Sequence, residues 1–115
     1  MWPLRPDRIT LRACQDFDWR VMACCPRCRH STGINTRIVA ASKYGAEPAY
    51  RLLERGVFKC RKRTRGCDGE PAERVTIHGM HVGQLETIAE WVLLPGSKTA
   101  QLVRSAIRQS WRPSE

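Results

Sequence analysis

The turn Cys25-Pro26-Arg27-Cys28, answered later in the chain by Cys60 and Cys67, constrains this sequence more than any other feature. A Cys-x-x-Cys turn projects two thiolates from one side of a tight loop, near enough to share one metal ion, and a second pair completes a tetrahedron around Zn²⁺. The 31 residues between the pairs, 29–59, then form an insertion clamped at its base. Pro26 stiffens the turn, while Arg27 and Arg29 favour thiolate over thiol. The second pair is irregular. Six residues separate Cys60 from Cys67, so Arg61-Lys62-Arg63-Thr64-Arg65-Gly66 has to bulge outward, and Gly66 and Gly69 permit the sharp backbone turns required. The expected centre is one structural Zn²⁺ held by Cys25, Cys28, Cys60 and Cys67.

Other assignments of the six cysteines stay open. An even number is compatible with disulfides, particularly in a protein packed into a particle that leaves the cell. Reduced, purely structural cysteines are a further reading. A redox-active Cys-x-x-Cys requires the motif at a helix N-terminus after a buried strand, whereas here the next helix is expected several residues later. Cys24 is expected to point away from Cys25 as a small buried hydrophobe, and Cys14 to be structural or spare. His30, two residues past Cys28, could replace one cysteine ligand. His78 and His81 carry the same ligand alternative, set against the reading of all three as ordinary surface or core residues.

Charge is distributed unevenly around this framework. Between Arg27 and Arg65 lie eleven basic residues against only Glu47 and Glu54, a net +9 that equals the charge of all 115 residues. Such a focused positive field attracts polyanions, nucleic acid above all. The alternative is a solvated surface that aids solubility. The candidate contacts are Arg27, Arg29, Lys59, Arg61, Lys62, Arg63 and Arg65. With 27% charged and 42% hydrophobic residues the chain is ordinary for a folded domain, which excludes wholesale disorder. No run approaches the ~18–20 apolar residues of a membrane span. The N-terminus lacks the continuous apolar stretch of a secretory signal, so the expected compartment is cytoplasmic and no membrane partner is expected.

Residues 1–13, with two prolines, read as an arm in which Ile9-Thr10-Leu11 forms a short edge strand. Residues 16–23 alternate polar and apolar and read as a strand leading into the Cys25 turn. A helix is expected over 35–43, capped by Asn35 or Thr36 and ended by Gly45 in the left-handed C′ position. A second is expected from Glu47-Pro48 to Gly56, with Tyr50, Leu52 and Leu53 on its apolar side. Val57-Phe58-Lys59 reads as a short strand delivering Cys60. Residues 74–78 alternate as a strand, followed by interruptions at Gly79 and Gly83. Residues 86–94 read as a strand that Pro95-Gly96 breaks. From Ser97 onward, Leu102, Val103, Ala106, Ile107 and Trp111 make a helical stripe, so a C-terminal amphipathic helix is expected over 95–115.

Trp19, Val21, Cys25, Cys28, Gly45, Leu52, Leu53, Arg55, Cys60, Cys67 and Gly69 together carry a pattern that resembles small zinc-ribbon-like proteins of alphaproteobacteria and their phages. The resemblance covers about residues 14–70 and implies a zinc ribbon without supplying a function. The fold class expected is α+β: a small zinc-ribbon-like antiparallel sheet over 14–94, with a helical insertion at 35–55.

Three kinds of function compete. The first is a nucleic-acid-binding module whose basic segment contacts phosphates, with the helices at 35–43 and 47–55 as a weak echo of a helix-turn-helix. The second is a structural or adaptor protein of a larger assembly such as a phage particle, with Trp2 and Trp111 anchoring termini or partners and a virion location. An enzyme is the least supported reading. The sequence has no paired-carboxylate site with supporting context, no phosphate-cradling glycine loop and no nucleophile with its base. A zinc closed by four thiolates also has no open position for water.

Overall fold

Backbone hydrogen bonding and hydrophobic alternation assemble this chain around a five-stranded antiparallel sheet. A computed structural model describes residues 5–26, 31–59, 71–81, 83–94 and 96–105. In chain order they form α1 (Leu11–Asp16), β1 (Arg20–Cys24), β2 (Ser31–Ile34), α2 (Thr36–Ala40), α3 (Ala49–Glu54), β3 (Arg74–His81), β4 (Gln84–Val92) and β5 (Gln101–Ser105). The strands lie in the order β2-β1-β3-β4-β5, and every neighbouring pair is antiparallel.

Period-2 alternation decides the faces. Val21 and Ala23 of β1, Val75 and Ile77 of β3, and Ala89 and Trp91 of β4 are buried and lie opposite one another across the ladder. They share one core with Leu11 and Cys14 of α1 and with Ala49, Leu52 and Leu53 of α3. Sealing each Leu into that core contributes about 1.5–3 kcal/mol. The other face of the sheet carries no helix among the described residues and is correspondingly polar. Its centre is Glu90, which is buried between two guanidiniums: Arg74 Nη1 at 2.9 Å and Arg104 Nε at 3.3 Å. One side chain thus ties β3, β4 and β5 together.

Helix ends follow local chemistry. Thr10 caps α1, its Oγ1 accepting from the Ala13 N–H, and Asn35 caps α2 through Oδ1 to the Ile38 N–H. The ends of α1 and α3 share one design. In α3 the N–H of Gly56 bonds to the Leu53 carbonyl and that of Val57 to the Leu52 carbonyl, with Gly56 at φ +70°. In α1 the N–H of Asp18 bonds to the Gln15 carbonyl and that of Trp19 to the Cys14 carbonyl, with Asp18 at φ +58°. Both are Schellman closures, one on glycine and one on aspartate.

Several expectations are corrected. The segment expected as an N-terminal arm contributes Ile9 and Leu11 to the core, both fully buried, and is stitched to the start of α3 by Ala49 N–H to the Ile9 carbonyl at 2.7 Å. Ile9-Thr10-Leu11 makes only an isolated bridge, Thr10 to Pro48, because Leu11 already begins α1. The strand expected over 16–23 starts at Arg20, after the α1 closure. Helix α2 ends at Ala40, short of Gly45. Gly79 does not interrupt β3 but is buried within it, while Gly83, at φ +77°, makes the β3–β4 turn. The expected C-terminal helix is a strand over 101–105. Its backbone groups pair with the open edge of β4, and a bulge at Glu90/Trp91 re-registers the ladder. Residues 106–115, where Ala106, Ile107 and Trp111 of the stripe fall, lie outside the described residues.

Candidate metal centre and basic surface

Cys25 follows directly on β1 and is buried, 3% exposed. What lies beside it is set by three backbone contacts. The Glu73 N–H donates to the Cys24 carbonyl at 2.9 Å, the Ala72 N–H donates to the Phe58 carbonyl at 2.8 Å, and Lys59 bridges to Pro71. The chain therefore leaves the core at Lys59 and re-enters at Pro71 next to the end of β1. Pro26 and Pro71 accordingly line one shallow, largely apolar hollow of about 320 Å³, together with Ala72 and Leu93. Cys25 and Pro26 therefore meet Lys59 and Pro71, which flank the segment holding Cys60 and Cys67, at one end of the sheet.

Of the expected zinc ligands only Cys25 lies among the described residues; Cys28, Cys60 and Cys67 lie outside them, as do Arg27, Arg29, His30, Arg61, Lys62, Arg63 and Arg65. Lys59 is exposed. Among the described residues no cluster of three or more histidines, cysteines or acids is placed to hold a metal ion, and none of the described cysteines joins a disulfide. What fits a metal at this end is the donor chemistry of a buried thiol beside the two chain ends that flank the second cysteine pair.

Cys14, Cys24 and His78 occupy three different surroundings. Cys14 is fully buried, and loss of solvation pushes its thiol up to about 12, which makes it an inert core residue. Cys24 does point to the opposite side from the core strand positions, but it is half-buried instead of sealed. His78 sits on the helix-free face with Nδ1 3.5 Å from Thr87 Oγ1. Burial lowers its pKa from the ordinary 6.5, and the nearby Glu90 carboxylate opposes part of that shift.

A second feature escapes sequence reading. Tyr44 and Tyr50 flank the start of α3, and each carries cations. Lys43 Nζ lies 5.2 Å and Arg55 Cζ 5.9 Å from the Tyr44 ring centre, and Arg51 Cζ lies 6.0 Å from that of Tyr50. Arg51 Nε also donates to the Tyr50 hydroxyl at 3.3 Å, and Arg55 pairs with Glu47. The Tyr50 ring is in turn stacked on Trp91 of β4 at 6.2 Å. Tyr50 counts in the sequence as one apolar member of a helix and Tyr44-Gly45 as a terminator. The adjacent pairs Lys43-Tyr44 and Tyr50-Arg51 are the only trace of the cluster, and its closure by Arg55 needs the folded helix.

Compared with known proteins, the chain matches no family model, no curated protein and no solved structure, so its own residues carry the functional argument. Among the described residues no helix is long and apolar enough to cross a membrane.

Proposed function

We propose that this protein is a non-enzymatic, zinc-stabilised basic module that binds nucleic acid through residues 59–65 and the neighbouring Arg27 and Arg29. One observation carries the reading. The Cys25 turn and the Lys59–Pro71 base of the cationic segment lie side by side, tied through Glu73 and Cys24. A metal held there by Cys25, Cys28, Cys60 and Cys67 supplies folding energy and fixes the base of a segment that carries Arg61, Lys62, Arg63 and Arg65. Each of those cations displaces a condensed counterion on meeting a phosphate, so binding weakens steeply with salt. Replacing all four with alanine is expected to abolish binding to nucleic acid while leaving the fold intact. Undiminished binding by that folded variant refutes the reading.

A structural or adaptor role in a larger assembly, such as a phage particle, is the second reading. It is favoured by the exposed edge strand β5, where Leu102 and Val103 stand half open to solvent. Native mass spectrometry of material from its source distinguishes the two: a defined complex supports assembly, and free monomer counts against it.

A further inference from the structure

The cation–tyrosine cluster on α3 and the link before it lies on residues distinct from the 59–65 segment, and its chemistry points to a ligand. Arg8, Arg51 and Arg55 line a polar hollow of about 510 Å³ beside Tyr50. Two carboxylates, Asp7 and Glu47, line it as well, and Glu47 is engaged by Arg55. Glu54, the acid within α3, accepts from the Ala100 N–H at 2.8 Å while remaining within electrostatic reach of Arg51. Three arginines and two acids line the hollow, and Lys43 stands nearby over the Tyr44 ring that Arg55 shares. Isolated surface cations are mobile, and ordering them opposes binding. Here Lys43, Arg51 and Arg55 lie over tyrosine rings, and Tyr50 is itself stacked on Trp91. A fixed, positively charged concavity matches the phosphodiester backbone, since guanidinium forks meet phosphate oxygens in pairs.

We propose that this surface, with Lys43, Arg51 and Arg55 presented by Tyr44 and Tyr50, is a second phosphate-contacting site for nucleic acid. It rests on the reading above only for the identity of the ligand. A polyanion would then be held at two places, the cationic segment 59–65 and the α3 surface.

The test is fluorescence anisotropy of a labelled mixed-sequence oligonucleotide, single-stranded and duplex, across a salt series with the full-length, zinc-loaded protein. Lys43→Gln/Arg51→Gln is compared with a charge-matched control, Arg20→Gln/Lys98→Gln, both pairs being exposed. Losing two phosphate contacts is expected to lower the log–log salt slope by about 1.4 on a single strand or about 1.8 on a duplex. The control is expected to keep the parental slope. A parental slope in the first variant, or an equal fall in the control, overturns the proposal. The quadruple alanine variant of the 59–65 segment is the separate arm. If the quadruple variant loses binding while the α3 variant keeps the parental slope, the segment reading stands and this one fails; if the α3 variant lowers the slope while the quadruple variant binds like the parent, the reverse holds. A parent protein that binds neither oligonucleotide overturns both.

Discussion

Two helix ends with the same hydrogen-bond closure but different C′ residues predict substitutions of opposite sign. Gly56 sits at φ +70° and Asp18 at φ +58°. At Gly56 an added Cβ would lie 3.7 Å from Pro71 Cβ and 3.8 Å from its Cγ, ordinary van der Waals contact. Gly56→Ala therefore introduces no clash, and its cost is the left-handed backbone alone, about 1–2 kcal/mol for an L-residue. Alanine also restricts the unfolded chain, which returns about 0.4–1 kcal/mol. The net expectation is a loss of about 1 kcal/mol. Asp18→Gly reverses the exchange. Aspartate tolerates this region better than alanine does, so the gain is smaller, about 0.5 kcal/mol. Equilibrium urea unfolding, followed by tryptophan fluorescence, measures both. A neutral Gly56→Ala or a destabilising Asp18→Gly would refute the closure geometry. A loss above about 3 kcal/mol at Gly56 would mean that packing against Pro71, not backbone strain, dominates.

Other substitutions test the sheet. Ile77→Ala, at a fully buried position in the middle of β3, is expected to cost about 2–5 kcal/mol in the same unfolding assay. Glu90→Gln keeps the shape but removes the charge between Arg74 and Arg104. Because those guanidiniums are 48% and 64% exposed, the expected loss is only about 1 kcal/mol, shrinking with added salt. His78 has its folded pKa held below 6.5, so at mildly acidic pH the unfolded chain binds the extra proton. Its contribution is fully present above 6.5 and is lost as pH falls through the folded pKa. His78→Gln is therefore expected to flatten the fall in urea midpoint as pH drops below about 6.5. An unchanged slope would contradict the burial of that ring.

How much of this was legible in the sequence varied with how local the signal is. The Asn35 cap and the Gly56 stop are read from a few adjacent residues and are found where those residues place them, whereas the alternation read from Asp16 becomes a strand only at Arg20, past the α1 closure. Strand β4 is legible because Pro95-Gly96 forbids a helix from running on. By contrast, Thr10 caps α1 only because Leu11 and Cys14 find a core to enter, and two nearby prolines disguise this as an arm. Leu102 and Val103 fit a helical stripe and a strand equally well. The unpaired edge of β4 decides in favour of the strand, with Arg104 reaching Glu90 across it. The cation–tyrosine surface joins residues 43–44, 50–51 and 55 through the turn of α3 and the support of Trp91, a combination no spacing rule announces. The proximity of Lys59–Pro71 to Cys25 is likewise a product of the β1–β3 pairing, whose partners lie fifty or more residues apart in sequence.

The central claim is that the two cysteine pairs close on a metal where Cys25 meets the base of the cationic segment. Metal analysis of the purified, reduced protein tests it most directly. The account predicts about one zinc per chain, with loss of the metal and of cooperative folding on Cys25→Ser. A reduced, folded protein that contains no zinc and gains no stability when zinc is added would contradict it.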